Sequence, residues 1–260
     1  MATALVVRRT GFALHTRATW SAREDRRAFA VWLGLLWPGL LAGFGVDLRR
    51  FFHETPPAPS VVGVHAFVFT GWMLLLTTQV LLVLGDRVAW HRKLGWLTAG
   101  WACLIAVLGP WAAMASQSLD LHGPEYVPPF ISVQFGDIAG FVLFVAWGIA
   151  LRKNPAAHKR MMILSTIALI DAGFGRFSGW LWPAEPASRI VWFLWEFYGN
   201  VLVLALMVAW DWRRGRLMKQ FVLGASLLVV MEIAETLLYF WGPWREMTAS
   251  WVHAWARLGG

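Results

Sequence analysis

Residues 61–84, VVGVHAFVFTGWMLLLTTQVLLVL, decide the fold class of this chain. The stretch contains no Asp, Glu, Lys or Arg. As an α-helix it is about 36 Å long, at a rise of about 1.5 Å per residue. The hydrocarbon core of a bilayer is about 30 Å thick, so this stretch predicts a transmembrane helix.

Six further stretches have the same apolar character. Of the 260 residues, 58% are hydrophobic and only 15% are charged, whereas a soluble domain has about 25% charged residues. This composition excludes a soluble enzyme, and the single cysteine, Cys103, excludes a disulfide scaffold. We therefore predict an all-α polytopic membrane bundle. The seven predicted spans are 28–46, 61–84, 94–115, 131–151, 161–182, 189–210 and 219–241.

The basic residues predict the orientation of these spans. If the N-terminus is cytoplasmic, 17 of the 23 Lys and Arg residues lie in cytoplasmic segments. Such a bias follows the positive-inside rule and predicts an N-in, C-out bundle. The formal net charge of +8 is then a topology signal, so we expect the lipid bilayer as a partner and do not expect nucleic acid.

The chain divides into three predicted parts. Residues 1–27 form a cytoplasmic basic segment, and residues 28–241 form the seven-helix transmembrane domain. Residues 242–260 form a short amphipathic helix on the outer surface, because apolar residues recur there at helical spacing. The members of this apolar stripe are Trp244, Met247, Trp251, Trp255 and Leu258.

Carboxylates inside the predicted spans are the strongest functional signal, because an ionisable group in a membrane is costly and usually functional. The five members are Asp137, Asp171, Glu196, Glu232 and Glu235. The predicted orientation puts all five in the outer half of the bilayer, with one internal arginine, Arg176. Hydrocarbon cannot hold so many uncompensated charges, so either some carboxyls are protonated or the site contains a cation or water.

Three interpretations of this polar pocket remain open. In the first, a divalent metal is bound by imidazole and carboxylate ligands: His65, Asp171, Glu196, Glu232 and Glu235. Further residues would line the same pocket: Gln79, Asp137, Arg176, Asn200 and Tyr239. In the second, the carboxylates form a proton or cation pathway through a transporter. In the third, they make structural hydrogen bonds between helices.

The histidines and lysines limit the choice of cofactor. A bis-histidine haem b needs two ligands at matched depth, whereas only His65 lies clearly inside a predicted span. A divalent metal is therefore favoured over haem b. Retinal is excluded, because the only lysine of the last span, Lys219, is at its inner end.

Two short basic loops carry the remaining candidate residues. Each contains a histidine and opens the next helix, which suggests a weak internal repeat of two helical hairpins. We predict that the loop residues contact lipid headgroups or a surface cofactor. They are His91, Arg92, His158, Lys159 and Arg160.

The segments around these loops resemble a group of uncharacterised bacterial integral membrane proteins. One segment runs from His65-Ala66-Phe67 through Gly71-Trp72 and Gln79 to His91-Arg92-Lys93-Leu94-Gly95. The other runs from Asp137 through Asn154-Pro155-Ala156-Ala157-His158-Lys159-Arg160-Met161-Met162 to Asp171 and Arg176. That group has a His-Arg-x-x-Gly loop and a His-Lys-Arg-Leu-Met loop, and the resemblance covers about residues 65–176. It implies a bacterial membrane protein but no activity.

The sequence therefore predicts a multi-pass protein of the bacterial inner membrane, with a His/carboxylate pocket that binds a metal or redox cofactor. A proton- or cation-coupled small-molecule transporter is the second hypothesis. The third is a non-catalytic accessory subunit, with a membrane-protein partner or a second copy of the chain. The sequence identifies no substrate or reaction.

Overall fold

The computed structural model of the chain describes residues 21–53, 57–121, 130–183 and 188–258. Over these residues the fold is all-α, and seven of the helices are long and apolar enough to cross a membrane. Both findings confirm the predicted all-α fold with seven helices able to span a membrane, whereas the N-in, C-out orientation stays a prediction. Most of the predicted N-terminal segment, residues 1–20, lies outside the described residues. The helices are α1 Ala22–His53, α2 Ser60–Leu84, α3 Val88–Asp120, α4 Ile131–Ala150, α5 Pro155–Leu181, α6 Arg189–Arg213, α7 Lys219–Tyr239 and α8 Gly242–Arg257.

Helices α1, α3 and α5 each begin about six residues before the predicted span, because the apolar run marks only the part of a helix that suits lipid. The start of α5 has a local cause. Asn154 is its N-cap, and its side chain accepts a hydrogen bond from the Ala157 N–H at 3.3 Å. Pro155 follows at the first helical position, where a proline loses no hydrogen bond. The Asn-Pro pair is therefore a helix start as well as a break.

Helix α5 is the centre of the bundle. It packs against α1, α4, α6 and α7, and 67% of its apolar stretch is buried inside the protein. Its buried side chains include Ile163, Leu164 and Ile167, which join one core cluster with residues of α1, α6 and α7. Side chains on α5 are therefore within reach of most other helices.

The crossing of α1 and α5 depends on glycine. A Cβ at Gly43 would collide with the backbone carbonyl of Gly173, and a Cβ at Gly173 would collide with the carbonyl of Gly39. Gly39 and Gly43 are four residues apart and so lie on one face of α1. The two backbones touch because none of these residues has a side chain.

Helix α8 packs on the bundle, where it contacts α3 and α7. Thr248 and Val252 are its fully buried residues, whereas Met247 and Trp251 of the predicted apolar stripe are about 40% exposed. The face in contact with protein is therefore rotated from the predicted stripe. A helix is confirmed here, whereas its position on the outer membrane surface stays a prediction.

Candidate functional site

The buried carboxylates converge at one end of the bundle, which we call the acidic end. Asp171 on α5, Glu196 on α6, and Glu232 and Glu235 on α7 are at most 5% exposed. Asp137, near the start of α4, is half-buried and lies in electrostatic range of Asp171, Glu196 and Glu235. Four helices thus bring together the five carboxylates that the sequence predicts as a cluster.

Two glycines make room for two of these carboxyl groups. A Cβ on Gly136 of α4 would overlap the carboxyl of Glu235, and a Cβ on Gly175 of α5 would overlap the carboxyl of Glu196. Each carboxyl is therefore inserted against the bare backbone of a neighbouring helix. The sequence contains both glycines, but only the packing of the helices identifies their role.

One amide supports the cluster. The Asn200 amide nitrogen on α6 donates a hydrogen bond to Oε1 of Glu232 at 3.0 Å. Asn200 is 1% exposed, and its amide oxygen has no hydrogen-bond partner among the described residues. The same holds for one oxygen each of Glu232 and Glu235. The Asp171 carboxyl lies beside the Asp137 carboxyl, and the two can hydrogen-bond only through a shared proton. Among the described residues, the acidic end therefore contains three buried acceptor atoms without a partner and one carboxyl pair that needs a proton.

The other predicted pocket residues have different surroundings. His65 packs against Phe69, with ring centroids 3.9 Å apart and ring planes tilted by 37°, and is in electrostatic range of Arg176. Arg176 is exposed, and its guanidinium lies 4.8 Å from the ring centre of Phe44. Tyr239 stacks on Trp192 at 4.5 Å, in an aromatic cluster that begins one turn beyond Glu235 on α7.

The metal interpretation finds no support. Within residues 21–53, 57–121, 130–183 and 188–258, no three His, Cys, Asp or Glu side chains are grouped so that they could hold a metal ion.

At the opposite end, which we call the basic end, four charged side chains form an ion-pair network, and three of them are buried. Arg160 on α5 is 1% exposed and makes two hydrogen bonds of 2.6 Å to Asp211 on α6. Its guanidinium also donates to Asp25 on α1 at 3.3 Å, and Lys159 pairs with Asp25. These four side chains join three helices, and their formal charges sum to zero.

This network corrects one prediction. Arg160 cannot contact lipid headgroups, because its side chain is buried and paired with Asp211. Lys159 is partly exposed but is likewise paired, with Asp25. Sequence reasoning missed the two aspartates, because both lie beside basic residues at helix ends and resemble ordinary solvated charges.

The other predicted loop residues lie beside this network. The ring centroids of His91 on α3 and His158 on α5 are 6.3 Å apart. Gln79, near the end of α2, is 6% exposed and contacts His91, so it belongs to the basic end and not to the carboxylate pocket. Arg92 is exposed.

No protein-family model, curated protein or solved structure matches this chain.

Proposed function

We propose that this protein is a proton- or cation-coupled carrier, and that the acidic end is its ion-binding site. The observation that carries the proposal is a set of buried acceptor atoms on Asn200, Glu232 and Glu235 that lack a hydrogen-bond partner among the described residues. Beside them, the Asp171 and Asp137 carboxyls can hydrogen-bond to each other only through a shared proton. Unsatisfied buried acceptors are rare in proteins, because each costs desolvation free energy. A bound proton or cation removes that cost.

The charge of the cluster supports the same conclusion. Asp171, Glu232 and Glu235 are buried, and Glu235 is in electrostatic range of the other two. Ionised carboxylates this close repel one another strongly where the dielectric constant is low. Protons or a cation must compensate the charge, and their release would change the interactions between α5 and α7. Coupled transport requires such a change.

A proton or a monovalent cation fits this site better than a divalent metal. Among the described residues, His, Cys, Asp and Glu side chains form no group of three that could hold a metal ion. The acceptor atoms are nevertheless numerous, and carboxylate and amide oxygens suit protons and hard cations. The transporter hypothesis is therefore preferred to the metal hypothesis.

The proposal includes a location. The seven apolar helices indicate a multi-pass membrane protein in contact with lipid. We place it in the bacterial inner membrane with a cytoplasmic basic end, because positively charged segments remain on that side. The acidic end then lies in the outer half of the bilayer, where α8 rests beside α3 and α7.

Difference infrared spectroscopy tests the ion-binding site directly. Protonated and ionised carboxyl groups absorb at different frequencies, so a pH or Na⁺ titration of the protein in lipid should change the carboxyl bands. The Glu232→Gln and Glu235→Gln variants should each lose part of that change. In proteoliposomes with an internal pH dye, the same variants should reduce proton flux.

Glu246→Gln is the matched control, because Glu246 is exposed on α8. It should leave both the infrared change and the flux as in the unsubstituted protein. Carboxyl bands that respond to neither pH nor Na⁺ would refute the proposal. Variants that lower only the amount of folded protein would instead support a structural role for the carboxylates.

A further inference from the structure

The basic end contains two imidazoles that the proposed function does not use. His91 lies in the first turn of α3, and His158 lies in the first turn of α5. Their ring planes are 75° apart at a centroid distance of 6.3 Å, and both side chains are half-buried. Each histidine is the fourth residue of its helix.

The hydrogen bond of His158 determines where its proton lies. Its Nδ1 is 2.8 Å from the carbonyl oxygen of Gly148 on α4. A carbonyl oxygen only accepts, so Nδ1 carries the hydrogen. In the neutral ring, Nε2 of His158 is then a hydrogen-bond acceptor.

His91 has the opposite arrangement. The side-chain amide of Gln79 can form hydrogen bonds through both its oxygen and its nitrogen in only one of its two orientations. In that orientation the amide oxygen accepts a hydrogen bond from the Gly95 N–H at 3.0 Å. Its nitrogen then donates to Nδ1 of His91 at 2.6 Å. Because Nδ1 accepts, Nε2 of the neutral His91 ring carries the hydrogen and is a donor.

The pair therefore presents one donor and one acceptor, and neither Nε2 has a hydrogen-bond partner among the described residues. We propose that His91 and His158 bind a phosphate group that carries a proton, as in inorganic phosphate or a phosphomonoester. His91 would donate to an unprotonated phosphate oxygen, and His158 would accept from the P–OH group. A phosphodiester has no P–OH and can satisfy only His91.

The charges around the pair favour an anion. Arg92 and Lys93 follow His91 in the sequence, and both are exposed. Lys159 and Arg160, which follow His158, are already paired with Asp25 and Asp211 and contribute no net charge to the surface. The N-terminal turns of α3 and α5 add partial positive charge. The basic end thus attracts a phosphate, and the histidines select its protonated form.

The phosphate can come from a lipid headgroup or from solution, and binding experiments distinguish these sources. The purified protein is placed in phosphatidylcholine nanodiscs that contain either phosphatidic acid, a phosphomonoester, or phosphatidylglycerol, a phosphodiester. Retained lipid is counted by native mass spectrometry at about pH 6, near the second pKa of a phosphomonoester. Inorganic phosphate alone is titrated in a separate calorimetric experiment.

We expect the unsubstituted protein to bind phosphatidic acid about tenfold more tightly than phosphatidylglycerol, the effect of one additional hydrogen bond. His158→Phe should abolish this preference and leave phosphatidylglycerol binding unchanged. Arg92→Gln should weaken the binding of both lipids equally, because it removes only a positive charge. Calorimetric binding of inorganic phosphate that His158→Phe abolishes would identify a soluble ligand, and binding of the lipid alone would identify a headgroup site.

The control is Arg213→Gln, which removes an exposed charge from the same end of the bundle at the last turn of α6. This variant should still bind phosphatidic acid more tightly than phosphatidylglycerol. Equal binding of the two lipids by the unsubstituted protein, together with no binding of inorganic phosphate, would overturn the proposal. This result needs no variant, so it stands even if His158→Phe fails to fold. A preference that survives in folded His158→Phe would also overturn it.

Discussion

At the scale of single residues, the Glu235 carboxyl can hold its position because residue 136 is a glycine. Gly136 has only hydrogen where any other residue has Cβ, and the Glu235 carboxyl occupies that space. The same relation holds between Gly175 and Glu196. These glycines let carboxyl groups approach the backbone of the neighbouring helix, where side chains would otherwise separate the two helices.

Gly136→Ala should therefore disturb the acidic end as strongly as Glu235→Gln does. The added methyl group forces either the carboxyl or helix α7 to move, and overpacking of this kind costs about 1–3 kcal/mol. We expect the pH-dependent carboxyl band to diminish and the unfolding temperature to fall. Gly100→Ala is the control, because nothing lies within 4 Å of a Cβ at Gly100. A normal carboxyl band in Gly136→Ala would show that the contact is not needed.

The Arg160–Asp211 pair allows a second test at this scale. Asp211→Asn leaves the buried Arg160 guanidinium with less compensating charge, and breaking a buried ion pair costs about 3–5 kcal/mol. We expect a large loss of stability in chemical denaturation. The double variant Arg160→Met with Asp211→Leu should be less destabilised, because it buries no unpaired charge.

The exposed pair Arg26–Asp86 provides the comparison for that experiment, since the Asp86 side chain is 79% exposed. Arg26→Gln should change stability little, because solvent screens an exposed pair. If Asp211→Asn were no more harmful than Arg26→Gln, the basic end would not depend on its buried ion pairs.

At the scale of helices, α1 and α5 form a contact that tolerates no side chain. Gly43→Ala should separate the two helices, because its Cβ would meet the carbonyl of Gly173. Gly45→Ala, two residues later, should be neutral, because nothing lies within 4 Å of that Cβ. The measurement is thermal unfolding of both variants in the same lipid. Equal unfolding temperatures would mean that α1 does not pack on α5 at Gly43.

Helices were more predictable than the contacts between them. Hydropathy predicts all seven long helices, because the apolar run that identifies a span is also what stabilises it in lipid. Their polar ends were underestimated at α1, α3 and α5, where helix continues into charged sequence. Two of these starts had a local signal that could have predicted them. At α5 it is the Asn154-Pro155 cap, and at α1 it is a capping-box pattern in which the Glu24 N–H donates to the Ser21 hydroxyl at 3.5 Å.

In the candidate site, too, the residues themselves were predictable from the sequence and their contacts across helices were not. The five carboxylates were recognisable because charge is rare inside spans, and their grouping on α4 to α7 followed from their common depth. The partners Gly136 and Gly175 were not predictable, because they depend on which helix faces meet. Asp25 and Asp211 were missed for the same reason, since they lie 135 and 51 residues from Arg160.

At the scale of the whole molecule, the two ends of the bundle differ in chemistry. One end buries carboxylates with unsatisfied oxygens, and the other neutralises its buried charges in pairs and exposes cations. Of the 23 Lys and Arg residues, 17 belong to segments at the basic end by the predicted topology. Because positive segments remain cytoplasmic, the whole bundle should be oriented by this asymmetry.

Cysteine labelling of intact cells tests that orientation. In a Cys103→Ser background, which removes the only cysteine, Ser21→Cys places a thiol at the basic end and Ser250→Cys places one on α8. We expect a membrane-impermeant maleimide to label Ser250→Cys in intact cells and Ser21→Cys only after the membrane is broken. The reverse pattern would invert the orientation and place the carboxylates in the cytoplasmic half. Labelling of both thiols from outside would mean that an even number of helices crosses the membrane between them, against the seven inferred from hydropathy.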